Sequence, residues 1–322
     1  MKLPEICRWV IAAVIFASSA MSFGQTDVSL LLKSWADSTN TEAHGDVLVF
    51  PEAHLGHSDQ EIEMTEADSD GRFRLSSDLP LNPTLGYDWT MLNTTGDRGM
   101  IPERLQDLSV AAATPLFRTD HGFVGLLAGV GYAGDEYFGN DSAWYGKGNL
   151  MYGRQLDKDS GLLLFVAYDG NRTLLPDVPI PGVAYANHAN PDLQYTLGFP
   201  ESSTTWRMFD GVKLSATWDF PDNFTANIGY KISNNLSFLL GYDNIDDAFH
   251  AANLPDNRRF FFLEQRVELK LIYSPVKDVD LTAGFGYAFA RQFARGFDDR
   301  DLKRVYDIAD RPYLRFGLNI RF

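Results

Sequence analysis

"YLRFGLNIRF", residues Tyr313–Phe322, closes the chain, and its reading decides the fold. Leu314, Phe316, Leu318, Ile320 and Phe322 fall on one face of an extended strand, while Arg315, Gly317, Asn319 and Arg321 fall on the other. A strand with one oily and one polar face needs two different solvents. Either the oily faces of several strands meet in a sandwich, or they meet hydrocarbon around a closed barrel.

Working outward from this ending, the sequence alternates through twelve candidate strands: about 84–95, 106–117, 123–133, 143–155, 161–170, 192–199, 205–219, 223–232, 236–245, 260–274, 279–292 and 312–322. Most are close to the ~9–11 residues that a tilted strand needs to cross a bilayer. In "VDLTAGFGYAF" one face carries Val279, Leu281, Phe285, Tyr287 and Phe289; in "FFLEQRVELKLIY" the oily face of Phe261 to Tyr273 opposes Glu264, Arg266, Glu268 and Lys270. Tyr87, Trp89, Tyr152, Trp218, Tyr230, Tyr242, Tyr273 and Tyr287 all take the apolar face, many near strand ends, where an interfacial girdle puts them. A sandwich would have to bury those hydroxyl and indole groups against partners. Counted from the C terminus, short and long connections alternate, with "PDN" (Pro221–Asn223) as the exception, so both termini fall on one side.

The front of the chain reads differently. Residues 1–24, with Lys2 and Arg8 before an apolar run from Trp9 to Ala20 and small residues after it, read as an export signal, cleaved after Ala20 or after Gly24. The only cysteine, Cys7, leaves with it, which removes disulfides, thiol nucleophiles and cysteine-held metals. Net charge is −15 with 28 basic and 43 acidic residues; losing Lys2, Arg8 and Glu5 leaves 26 against 42, or −16. A nucleic-acid partner is excluded by the missing basic footprint. Residues 25–83 hold twelve acids against Lys33, Arg72 and Arg74, and read as an acidic periplasmic arm, with "DVLVF" and "FRLSSDL" as short apolar runs inside it.

At this point the ending carries a resemblance. Arg315, Gly317, Ile320 and Phe322 resemble the polar-x-Gly-x-x-hydrophobic-x-aromatic signal of bacterial outer-membrane β-barrels, which implies a Gram-negative-type outer membrane and recognition of the last strand by the barrel-assembly machinery. More narrowly, "GNLMYGRQL", "GNRTLLPDVPIPGVAY" and "LQYTLGFPESSTTWR" are similar to an uncharacterised outer-membrane β-barrel family, a resemblance that brings no known activity. The expected fold is therefore all-β: a transmembrane antiparallel up-and-down β-barrel of about 12 strands over residues 84–322, or 14 if the two runs in the arm join the wall.

Chemistry is sparse. His44, His54 and His57 lie in the expected arm, His121 in a short turn, and His188 and His250 in expected outer loops, an arrangement that disfavours a histidine-dependent hydrolase. Glu52, His54, His57 and Asp59 match no standard metal spacing, and "GKGNL" precedes no helix, so no metal, cofactor or phosphate loop is expected. "NIDD" (244–247) and "DDRD" (298–301) read as solvated loop acids. The inward face is the candidate site, with Lys147, Arg154, Lys213, Lys231, Glu264, Arg266, Glu268, Lys270, Arg315 and Arg321 expected to line the lumen. Such charges either line a wet passage or pair across the lumen and close it. The apolar, proline-rich stretch 174–187 either constricts the mouth or covers the rim. The leading expectation is a passive channel for small polar solutes in the lipid bilayer; the alternatives are a structural or ligand-binding barrel closed by ion pairs, and a membrane-embedded hydrolase.

Overall fold

The structure, a computed structural model, describes residues 29–32, 35, 39–56, 60–75, 83–96, 101–221 and 223–322. The expected export signal lies outside the described residues. Seventeen strands form one sheet: β1 (Thr41–His54), β2 (Glu61–Arg74), β3 (Thr84–Thr95), β4 (Arg104–Thr119), β5 (Gly122–Gly134), β6 (Trp144–Gln155), β7 (Ser160–Asp169), β8 (Ile180–Asn190), β9 (Leu193–Phe199), β10 (Glu201–Phe209), β11 (Val212–Asp219), β12 (Asn223–Ser233), β13 (Leu236–Phe249), β14 (Arg259–Val276), β15 (Val279–Gly296), β16 (Lys303–Ile308) and β17 (Arg311–Arg321). From β1 to β16 each strand pairs antiparallel with the next. β17 then pairs with β15 on one side and β1 on the other, which closes the ring. β16 pairs with the outer part of β15, above β17, so the wall has sixteen strands, the seventeen less β16.

This corrects the expected count of 12 or 14, and each difference has a physical cause. Residues 41–54 and 61–74, expected in the arm, are β1 and β2 of the wall. The segment read as one strand, 205–219, is the hairpin β10–β11, turned at Asp210-Gly211, where Gly211 has φ +81°. The proline-rich stretch 174–187 contains most of β8. Pro181 is tolerated there because it pairs only with Val166 of β7; pairing with β9 begins at Val183, so no ladder bond is asked of its missing N–H.

The closing strand behaves as its alternation requires. Leu314 and Phe316 are exposed outward, while Tyr313 and Arg315 are buried inward. Its last residue completes the ring through the backbone: the Phe322 N–H donates to the Thr41 carbonyl, and the N–H groups of Asn40 and Thr41 donate to the Phe322 carbonyl. Gly317 has a steric reason to be glycine, since a Cβ there would lie 1.8 Å from Asp46 Oδ1, and Gly286 likewise receives the Tyr313 ring at 2.3 Å.

At the end where β1 begins and β17 finishes, the connections 120–121, 156–159, 191–192, 210–211, 234–235 and 277–278 are short, with 75–83 as the longer exception. At the other end run 96–103, 135–143, 170–179, 250–258 and 297–310, with Pro200 and 220–222 as short exceptions. We take the first end as periplasmic and the second as outer.

Sixteen strands enclose more space than side chains of the wall alone can fill. Part of that space is occupied by an apolar cluster near the outer end, in which Leu48, Phe50, Ile62 and Met64 of β1 and β2 meet Phe260, Phe262 and Phe293 of β14 and β15. Further round, a single helical turn, α1 (Ser29–Leu32), places Leu30 against Ala111, Ala113 and Leu127, and Leu32 against Met151, Leu163 and Ala184, all on the lumen faces of β4 to β8.

Candidate functional site

Alternation, broken once in β15, carries the carboxylates and guanidinium groups of five consecutive wall strands, β14, β15, β17, β1 and β2, onto one stretch of lumen. Arg266 of β14 is the centre. Its Nη1 donates to Glu66 Oε1 of β2 at 2.8 Å, its Nη2 donates to Glu66 Oε2, and its Nε donates to Glu264 Oε1 on its own strand. The other oxygen of Glu264 accepts from Arg291 Nε of β15 at 2.5 Å. Toward the periplasm, Glu268 Oε2 accepts from Arg315 Nε at 2.9 Å and from the Tyr313 hydroxyl at 3.0 Å, and Lys270 Nζ lies 2.5 Å from Glu268 Oε1. Arg315 also donates to Asp46 Oδ2 of β1 at 2.7 Å. Arg266 and Arg291 are each 2% exposed. At that depth charges persist only when paired and hydrogen-bonded, as these are. The Phe50 ring completes the shell, 4.5 Å from the Arg291 guanidinium.

Arg291 reaches this network through a break in the alternation. Along β15 the odd-numbered residues Leu281 to Phe289 face outward, which would put Arg291 in lipid; Ala290, at φ +52°, inserts a bulge opposite the Leu263–Gln265 step and turns Arg291 inward.

Of the expected lumen residues, Glu264, Arg266, Glu268, Lys270 and Arg315 are brought together in this network. Lys147 of β6 faces the lumen elsewhere and pairs with Asp169 at 3.4 Å. Arg321 sits at the periplasmic rim, paired with Asp280 at 2.7 Å. Lys213 and Lys231 face inward on β11 and β12 and are exposed. Arg154 is a correction: it shares the outward face of Leu150 and Tyr152 and is exposed at the periplasmic end of β6, where a long side chain can carry its charge out of the lipid band. The partners Asp46, Glu66 and Arg291 were not anticipated. Two belong to strands hidden in an acidic stretch and the third lies beyond the bulge.

The outer mouth is crossed by chain. The outer ends of β13 to β15 reach the opposite wall, where His250 bridges Gly134 of β5 and its N–H donates to the Ala133 carbonyl at 2.9 Å. The Ala252 N–H donates to Asp135 Oδ1 at 3.0 Å. Asn171, just after β7, ties these pieces together. Its Nδ2 donates to Asp107 Oδ2 and to the Ala248 carbonyl, both at 2.9 Å, and its own carbonyl accepts from Arg259 Nη1 at 3.1 Å. Burial, and the Arg259 guanidinium, hold the His250 imidazole below its usual pKa range.

Three histidine placements differ from expectation. His44 and His54 lie in β1, and His188 lies near the periplasmic end of β8 rather than in an outer loop. In His44 both ring nitrogens face carboxylates, Asp46 at 3.3 Å and Asp70 at 3.2 Å, which leaves neither free to act as a base. Among the described residues no three metal-ligating side chains gather; His57 and Asp59 lie outside them.

The outward face decides the setting. Val47, Val110, Leu150, Val183, Leu197, Ile228, Leu240, Leu269, Phe285 and Phe316 leave large apolar side chains exposed on strand after strand around a ring with no free edge. The chain is an outer-membrane-type β-barrel. No protein-family model matches the sequence, and neither does any curated protein. Among solved structures the barrel is similar to a mutant of the TodX monoaromatic hydrocarbon channel, with 11% identity, 91% of this chain and 92% of that one covered, and a TM-score of 0.45. It is similar to an outer membrane channel from Pseudomonas putida F1, at 11% identity, 94% and 100% coverage and a TM-score of 0.37. The Acinetobacter baumannii outer membrane protein Omp33 is a third, at 10% identity, 88% and 98% coverage and 0.33.

Proposed function

We propose that the barrel is a passive channel for small polar solutes, held closed at its outer mouth in this conformation. The observation that carries the reading is the lumen face of β10 to β12. There Thr205, Ser215, Thr225 and Asn227 point inward yet remain partly exposed, and Lys213 and Lys231 are exposed. Inward side chains that keep contact with solvent border water, whereas the ion-paired wall opposite is dry. A ring of sixteen strands is also in the size class that leaves an aqueous path. Planar-bilayer recording from the refolded protein tests this: stepwise ion current is expected, and an intact barrel that passes none at any voltage refutes it.

A second reading, a barrel closed for good and serving as a structural or binding element, is favoured by the contacts of Asn171 and His250 across the mouth. The same recording separates the two. We read the chain as inserted in the lipid bilayer by the barrel-assembly machinery through its last strand.

A further inference from the structure

We propose that the periplasmic end of the lumen holds an anion-binding site, built by Arg207, Lys213 and Lys231, for small solutes bearing carboxylate or phosphate groups. The inference rests on the channel reading for the route of the solute, while binding itself is measured separately.

Arg207 of β10 and Lys213 of β11 are direct cross-strand partners, and Lys213 in turn faces Gly229 of β12, two residues before Lys231 on the same inward face. Opposed side chains of this kind start about 5 Å apart and diagonal ones about 7–8 Å apart, so three cationic heads share a patch the size of a small anion. Gly229 keeps its middle open, since a Cβ there would meet nothing nearer than 3.8 Å.

Like charges placed opposite one another destabilise a sheet. Elsewhere in this lumen the chain avoids that by giving a cation a carboxylate: Arg291 has Glu264, Lys270 has Glu268, Lys147 has Asp169. The ammonium groups of Lys213 and Lys231 have no such partner among the described residues. Arg207 reaches Asp192 in the turn below at 3.4 Å, with side chains 64% and 55% exposed, a pairing that solvent weakens. Asp210 lies in the turn that joins β10 to β11. In a chain of net charge −15, three adjacent bases of which, among the described residues, only Arg207 has a carboxylate in reach are a local inversion of the average. Thr205 and Ser215 continue the same faces upward and add hydroxyl donors. Positive charge on a water-filled wall concentrates anions and repels cations.

The test uses the full refolded barrel in detergent, with citrate as the probe in titration calorimetry and potassium chloride gradients in planar bilayers. Citrate is expected to bind, more weakly as salt rises, and Lys213→Gln and Lys231→Gln are each expected to weaken it about tenfold, the loss of one hydrogen bond to a charged group. Glutamine keeps a polar, uncharged head on a somewhat shorter stem, and circular dichroism confirms that each variant folds. In the bilayer, chloride is expected to permeate better than potassium. With ions passing about 8 Å from each lysine in ~0.1 M salt, the double variant lowers that ratio about fivefold. Absence of citrate binding by the parent barrel, or unchanged binding in the double variant, overturns the site. A barrel that binds citrate through the lysines but passes no current keeps the site and removes the channel; one that conducts, favours potassium and binds no citrate does the reverse.

Discussion

Replacing Arg266 by methionine removes the guanidinium but keeps much of the volume, and it isolates what the ion network contributes. The side chain makes two bonds to Glu66 and one to Glu264. After the change Glu264 keeps Arg291, 2.5 Å away, whereas both hydrogen bonds from Arg266 to Glu66 are gone. Glu66 is 5% exposed, so its charge stays buried without that partner. Breaking one side of a buried pair costs about 3–5 kcal/mol. At about 4 kcal/mol the folding constant falls by roughly a thousandfold, since about 1.4 kcal/mol is a factor of ten. Urea titration of folding into lipid vesicles, followed by tryptophan fluorescence, reads this directly. Glu66→Leu combined with Arg266→Met removes the stranded charge as well and is expected to recover most of the loss, because buried pairs gain little over apolar packing of similar size. An exposed control, Lys158→Ala, breaks a pair whose lysine is 89% exposed and is expected to change stability by less than about 1 kcal/mol. The reasoning fails if Arg266→Met lies within about 1 kcal/mol of the parent, or if the double variant is no better than the single one.

Asn171→Ala is expected to loosen the closed mouth by removing the bonds to Asp107 and Ala248, and to raise the open fraction in single-channel records; an unchanged open fraction would clear Asn171 of that role. Gly317→Ala pushes a methyl against the Asp46 carboxylate that Arg315 holds, and is expected to destabilise the barrel by about 1–3 kcal/mol in the same urea assay. His250 has a depressed folded-state pKa, so its contribution to the outer contacts is complete above the unfolded value near 6.5 and is lost as pH falls through the folded one; channel opening is therefore expected to increase below about pH 6.5 in the parent and not in His250→Ala. Deleting Phe322 is expected to leave a protease-sensitive periplasmic chain, because the seam loses its terminal backbone pairs; normal membrane insertion would argue against an assembly role for the ending.

The barrel was legible in the sequence because hydrocarbon enforces strict alternation wherever one face meets lipid, as in Leu314 to Phe322. Legibility ended where something else set the pattern. β2 alternates Ile62, Met64, Glu66 and Asp68 inward, but the outward Glu61 and Glu63 hide that face within a run of acids. β8 carries Pro181, harmless only because β9 does not reach it. The Asp210-Gly211 turn was visible as a hairpin signal, and reading through it merged two strands. Lys270, Glu268 and Arg315 were identifiable as inward from parity alone. That Arg315 meets Asp46 depends on ring closure, a contact between residues 269 apart in sequence. Arg291 was not identifiable, since strict parity places it in lipid, and Arg154 is outward by the same parity that puts Tyr152 there.

The account stands on closure of the wall by β1 against β17, which makes residues 41–54 part of the barrel rather than an appendage. Val47 and Phe316 are register partners on the outward face of that seam. Facing Cα atoms in such a pair are about 4.5–5.5 Å apart, within reach of a disulfide. In a chain with Cys7 replaced by serine, Val47→Cys with Phe316→Cys is expected to cross-link on mild oxidation of the membrane-inserted protein and to withstand protease as one species. An inserted protein that never forms this bond, and loses residues 41–74 to protease while the remainder stays protected, would contradict it.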